Sequence, residues 1–160
     1  MMAIAWKRFL PAERRRASRR AIYGLIGGLI GTACYDSLRY VLVKGLHYKN
    51  WPFDVFVLFG RLLAGPSAGL RTLWVIGTLF HIGCGMGFGM AYTLAWERPG
   101  IGSGLLWAAV LELFMITLYP GWLGLKALNE LLTTSILGHA AYGAALGIVC
   151  AKLTQRESVV

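Results

Sequence analysis

The sequence is poor in charged residues and lacks the short motifs that mark many enzymes. Charged residues make up 14% of the 160 residues, and seven of them are acidic. There is no P-loop, no nucleophile elbow, and no HExxH or ExxH pair of metal ligands. Nucleotide hydrolysis, acyl transfer by a serine and the familiar metalloprotease chemistry therefore have no motif to support them. We expect a protein that is not an enzyme.

Cysteine is also scarce, and its placement argues against both disulfides and a cysteine metal site. Cys34, Cys84 and Cys150 are odd in number, lie inside apolar runs and form no CxxC spacing. Such cysteines are interpreted as small apolar side chains of the interior.

Long apolar runs are what the sequence does contain. Hydrophobic residues make up 57% of the chain, and 21 glycines accompany them, as is common in transmembrane helices. A run of about 20 apolar residues crosses the hydrocarbon layer as a helix. We predict an all-α membrane protein with four transmembrane helices, at about Ala21–Val43, Thr72–Trp96, Ile101–Tyr119 and Thr133–Leu153.

Two amphipathic segments, 53–64 and 122–132, are predicted to lie in the membrane interface after the first and third spans. The second of them places Lys126 and Glu130 four residues apart with leucines between, which is typical of a helix in the interface plane. For 53–64, spanning and re-entrant placements remain open.

Basic residues are concentrated before the first apolar run, and they predict the orientation. Residues 1–20 form a basic segment expected in the cytoplasm, and 21–160 form a single four-helix transmembrane domain. The basic residues are Lys7, Arg8, Arg14, Arg15, Arg16, Arg19 and Arg20. Four spans then return the C-terminus to the cytoplasm. The run that follows is of spanning length, so a signal peptide is not expected. Nucleic acid is not an expected partner either, because the sequence offers no soluble basic face.

Two spans carry the same pattern, which indicates an internal repeat. His81 is followed by Gly85 and Gly89, and His139 is followed at the same spacing by Gly143 and Gly147. Aligning Asp36 with Glu112 also superposes Gly28 on Gly104 and Gly45 on Gly121. The sequence therefore predicts two tandem two-span repeats, about 21–96 and 101–153, related by a pseudo-twofold axis along the bilayer normal. The glycines following each histidine are expected to pack against neighbouring helices.

Four ionisable residues, Asp36, His81, Glu112 and His139, fall in the middle to outer half of the predicted spans, and they are the candidate site. Charged groups at that depth usually face the bundle interior and pair. The interpretation ranked first is structural: Asp36 pairs with Arg39, and the histidines hydrogen-bond to Glu112 or to a backbone carbonyl. One alternative is a metal site formed by all four side chains. Others are axial ligation of a haem or chlorin by His81 and His139, and a proton or ion path.

A group of features in the second half carries a resemblance to a known family. The features are His81 early in a span, Pro99 in a short turn, Gly104-Leu105-Leu106 and Leu113-Phe114 in one span, Pro120 at its end, and Gly138-His139. This combination, covering roughly half of the chain, resembles YagU-like proteins, which are small bacterial inner-membrane proteins. The resemblance implies the bacterial cytoplasmic membrane and supplies no chemistry.

The expected role is that of a non-enzymatic accessory or scaffold subunit of a larger membrane complex. Its partners are then membrane lipid and either other membrane-protein helices or a second copy of the chain, and no cofactor is needed. The alternatives are a carrier of a metal, haem or chlorin, and a small proton or ion transporter or channel.

Overall fold

The structure is a computed structural model that describes residues 11–47, 53–123 and 128–157. For 11–12, 118–133 and 156–157, at most the backbone is described. The described chain consists of helices, with no strand among these residues. The helices are α1 (Pro11–Gly45), α2 (Asp54–Ala64), α3 (Leu70–Ala95), α4 (Ile101–Leu123) and α5 (Leu128–Glu157).

Three helices contain segments that are long and apolar enough to cross a membrane. These segments are Glu13–Gly45 in α1, Leu70–Ala95 in α3 and Thr134–Gln155 in α5. In α4 the apolar segment among the described side chains is shorter, Ile101–Thr117. All four predicted spans lie within these helices to within a residue or two.

The first helix is longer than its span, because the basic segment continues it toward the N-terminus. α1 has 35 residues, or about 52 Å of helix, against about 30 Å of hydrocarbon. Its first turns therefore extend beyond the apolar part. There, the Arg20 guanidinium donates hydrogen bonds to the Thr93 and Trp96 carbonyl oxygens and so caps the C-terminus of α3.

The segment predicted at 53–64 is the helix α2, which packs on α3. Its 11 residues span about 16 Å, too short to cross the bilayer. Gly65 ends α2 with φ 85°, a left-handed conformation that suits glycine. Gly60 lies against the Leu73 backbone and Gly77 against the Phe56 backbone, so a side chain at either glycine would collide with the neighbouring helix.

The predicted interfacial helix at 122–132 does not form a separate element among the described residues. Residues 122–123 complete α4 and 128–132 begin α5, while 124–127 lie outside the described part. The helix that contains the third predicted span does not end at Pro120-Gly121. α4 continues through them to Leu123, and a transmembrane helix tolerates a proline where surrounding protein satisfies the freed backbone groups.

The packing order is not the simple twofold arrangement expected from the repeat. α1 packs closely on α3 and α5, and α4 packs closely on α5. In the described chain, α3 and α4 meet through larger side chains, with the Trp96 and Trp107 rings 5.7 Å apart and the Tyr92 hydroxyl 2.7 Å from Ser103 Oγ. The cause lies in side-chain size. Gly31 lets α5 approach α1, whereas the residue aligned with it on α4 is Trp107.

Candidate functional site

The first histidine–carboxylate pair joins α1 to α3. His81 Nε2 lies 3.1 Å from Asp36 Oδ1, and the two side chains are 17% and 23% exposed. The His81 ring also contacts Phe56 of α2, at 4.9 Å between centroids. The expectation that Asp36 pairs with Arg39 is wrong, because the Asp36 carboxylate reaches across to the neighbouring helix instead.

The second pair joins α4 to α5. His139 Nδ1 lies 2.5 Å from Glu112 Oε2, and the expected hydrogen bond between these two residues is therefore present. The Ser135 hydroxyl donates to the same carboxylate oxygen at 2.9 Å and lies 3.2 Å from His139 Nδ1. Glu112 Oε1 is buried, and no described residue forms a hydrogen bond to it. This carboxylate is thus held on one oxygen by two groups of α5.

Tyr35 lies between the two pairs. Its ring centroid is 5.9 Å from that of His81 and 4.9 Å from that of His139. The two pairs and Tyr35 therefore form one polar layer to which α1, α3, α4 and α5 all contribute.

Arg39 lies one helical turn from Tyr35 and is buried beside it. The guanidinium carbon is 5.6 Å from the Tyr35 ring centroid, which is cation–π geometry. The residue is 7% exposed, and its Nε has no hydrogen-bond partner among the described residues. Gly138 of α5 faces it, since a Cβ there would lie 3.3 Å from Arg39 Cγ.

The glycines that follow each histidine make close helix contacts. A side chain on Gly85 would collide with Thr32 of α1, and one on Gly89 with the Gly24 carbonyl oxygen. On α5, the same substitution at Gly143 would meet the Gly104 carbonyl. At Gly147 it would meet the carbonyl oxygen of Gly100, which immediately precedes α4. The predicted role of these glycines in helix packing thus agrees with the geometry.

Three residues of the polar layer were not anticipated from the sequence. Ser135 precedes His139 by four residues and so shares its helical face, which is a signal that sequence alone offers. Tyr35 and the burial of Arg39 have no comparable signal, because their placement depends on how α5 packs on α1.

The four predicted ligands do not converge on one point. Among the described residues, no group of three or more histidine, cysteine, aspartate or glutamate side chains is placed to hold a metal ion. Instead, each histidine contacts one carboxylate, and the Tyr35 ring lies between the two histidines. The cysteines are free thiols, with Cys150 buried and Cys34 and Cys84 half-buried. The geometry therefore favours pairing over joint coordination of a metal or a macrocycle.

These features define an all-helical protein with three helices able to cross a membrane and an internal layer of paired ionisable side chains. The chain belongs to the family of unknown function DUF6789, whose family model matches residues 18–160. No curated protein and no solved structure matches it.

Proposed function

We propose that the chain is a four-span protein of the bacterial cytoplasmic membrane, built from two tandem repeats, that acts as a non-enzymatic accessory or scaffold subunit. The observation that carries the proposal is the separation of ionisable side chains, which face the interior, from the apolar outer face of α3. The paired ionisable side chains are turned inward between helices, while α3 presents an outer face of small and apolar residues. Membrane helices associate through such faces, since lipid supplies no hydrophobic drive for their association.

The outer face of α3 contains a GxxxG spacing, Gly83 and Gly87, that makes no helix contact among the described residues. A Cβ on Gly83 or Gly87 would meet nothing within 4 Å, in contrast to Gly85 and Gly89. Large exposed apolar side chains flank the two glycines on this face: Leu79, Met90 and Leu94. Small residues at this spacing allow the backbone of another helix to approach closely.

Matching contacts in the two halves support the repeat. Asp36 meets His81 as Glu112 meets His139, and each histidine lies one turn before a glycine that touches the partner helix. The glycine pair Gly28–Gly85 corresponds in the alignment to Gly104–Gly143, and both pairs are in close contact. A duplicated pair of spans accounts for all these correspondences at once.

The role is tested by gentle purification followed by native mass spectrometry. We expect the wild type to purify with a second membrane protein in a fixed ratio. Gly83→Leu should remove that partner while leaving the helical content of the chain unchanged. Gly102→Leu on α4, where a Cβ also meets nothing within 4 Å, is the matched control and should retain it. A wild-type chain that purifies alone contradicts the accessory role.

Topology is tested separately by reporter fusions. With four spans and a cytoplasmic N-terminus, reporters after residues 50 and 125 should both be outside the cytoplasm. A reporter at either position that is active in the cytoplasm would contradict the four-span proposal. The resemblance of the second half to YagU-like proteins supports the proposed placement in the bacterial cytoplasmic membrane.

A proton or ion transporter is the second candidate, and the position of Tyr35 favours it. This ring contacts both histidines, so the two protonatable pairs belong to one continuous layer. Proteoliposomes containing the purified chain test the idea with a pH-sensitive dye. Proton flux that disappears in His139→Ala supports transport, and flux equal to that of protein-free liposomes excludes it.

A further inference from the structure

Arg39 carries a buried positive charge that the described part of the fold leaves without a counter-charge. Guanidinium stays protonated at any pH that a protein experiences. Arg39 is 7% exposed, its Nε lacks an acceptor among the described residues, and its guanidinium lies over the face of the Tyr35 ring. A buried charge in this position is costly unless an opposite charge lies beside it.

The neighbouring carboxylates are engaged elsewhere. Asp36 pairs with His81, and Glu112 pairs with His139 and accepts from Ser135. Among the described residues, neither carboxylate lies within the 4.0 Å of Arg39 that defines an ion pair. The guanidinium of Arg39 is therefore not in direct contact with a carboxylate among the described residues.

We infer that Arg39 is the core of a binding site for a small monovalent anion between α1 and α5. The guanidinium supplies the charge and the donors, and the Tyr35 side chain that it covers carries a neutral hydroxyl. The tight approach of Gly138 to the Arg39 stem favours a small ion over a bulky one. A bound monovalent anion supplies the counter-charge that Arg39 lacks among the described residues. The inference does not depend on whether the protein is an accessory subunit.

The first test uses the wild-type chain in detergent, with chloride as the probe. Sodium chloride is exchanged for sodium gluconate at constant sodium concentration. Gluconate is also monovalent but is too large for the proposed site between α1 and α5. Thermal unfolding is followed by tryptophan fluorescence. Ligand binding to the folded state raises the melting temperature, and we expect it to be about 3 °C or more higher in chloride at saturation. Equal melting temperatures in the two salts would overturn the inference.

Substitution of Arg39 provides the second test. Arg39→Gln removes the charge, so it should abolish the difference between chloride and gluconate. It should also melt higher than the wild type in gluconate, because an uncompensated buried charge has been removed. Arg61→Gln, at an exposed arginine of α2, is the control and should keep the full chloride effect. A chloride effect that persists in Arg39→Gln would show that the anion binds elsewhere.

Direct binding keeps the inference testable if Arg39→Gln does not fold. Purified wild type should bind radiolabelled chloride saturably, at one ion per chain, and gluconate should not compete. Arg39→Met, which keeps an unbranched side chain, offers a second route to the uncharged variant. Absence of saturable chloride binding to the wild type would overturn the inference.

Discussion

Each half of the molecule contains a histidine–carboxylate pair that joins two helices, but the surroundings of the two pairs differ. In the first half, α1 and α3 are joined by Asp36 and His81, at 3.1 Å, beside the Phe56 ring of α2. In the second half, α4 and α5 are joined by Glu112 and His139, at 2.5 Å, with Ser135 as an additional donor. The Glu112 side chain is 11% exposed and that of Asp36 is 23% exposed.

This difference indicates that the halves share their helix contacts but not their electrostatics. The glycine contacts depend on close approach of two helix backbones, which occurs between α1 and α3 in the first half and between α4 and α5 in the second. The cost of losing a histidine depends on how far its carboxylate is removed from water, and that differs. Substitutions at corresponding positions should therefore have equal effects at the glycines and unequal effects at the histidines.

The largest effects are expected at the glycines. Gly28→Leu and Gly104→Leu should each destabilise the fold by about 3 kcal/mol or more, because the new side chain meets the backbone of a neighbouring helix, which cannot move aside. The measurement is unfolding in mixed detergent micelles. Gly83→Leu should change stability little, since nothing lies near that position. If only one of the two halves is sensitive, the halves do not share their helix contacts.

The next largest effect is expected for His139→Ala. This change leaves the Glu112 carboxylate without its shortest contact in the more buried of the two pairs, and the expected loss is about 2–3 kcal/mol. The same unfolding assay measures it. Double substitution with Glu112→Gln should recover part of the loss, since the stranded charge is then absent. Failure of Glu112→Gln to recover any stability would contradict this explanation.

A smaller loss, about 1–2 kcal/mol, is expected for His81→Ala, because Asp36 is more exposed and lies in the more open pair. His81→Phe serves as the control. It keeps ring contacts toward Tyr35 and Phe56 and removes only the link to Asp36. The comparison between the halves fails if His81→Ala proves as damaging as His139→Ala.

The smallest effect is expected for Tyr35→Phe, which retains the ring between the two histidines and removes a hydroxyl. The expected loss of stability is at most about 1 kcal/mol, because one hydroxyl is removed and the ring contacts remain. Tyr35→Ala should cost several times more, since it also removes the ring that packs against both histidines. Equal losses in the two variants would mean that the ring does not connect the halves.

Part of the site was predictable because it follows from local spacing. A histidine and glycines one and two turns later must share a helical face, so the inward orientation of His81 and His139 could be predicted without a structure. The partner of Asp36 could not be predicted in this way. Arg39 is its neighbour along the helix, whereas His81 becomes its neighbour only when α3 packs on α1. The choice between these two partners depends on interhelical distance, which a sequence does not contain.

The ends of the helices were also only partly predictable from the sequence. The C-terminal end of α3 and the start of α4 follow from the Glu97–Gly100 turn, which lies outside any helix. At Pro120-Gly121, the same kind of punctuation predicts an end, yet α4 continues to Leu123. A proline removes one backbone donor, and whether that stops a helix depends on the surrounding protein.

The sequence by itself determined the helical class, the apolar segments, the inward-facing acids and histidines, and the glycine faces. All of these follow from composition and from periodicity along one helix. Only the tertiary structure decided that Asp36 meets His81, that Tyr35 lies between two pairs, and that Arg39 is buried without a carboxylate beside it. The reason is that helix packing is set by the side chains of two surfaces together. Gly31 admits α5 to α1, while Trp107 in the aligned position holds α4 away from α3.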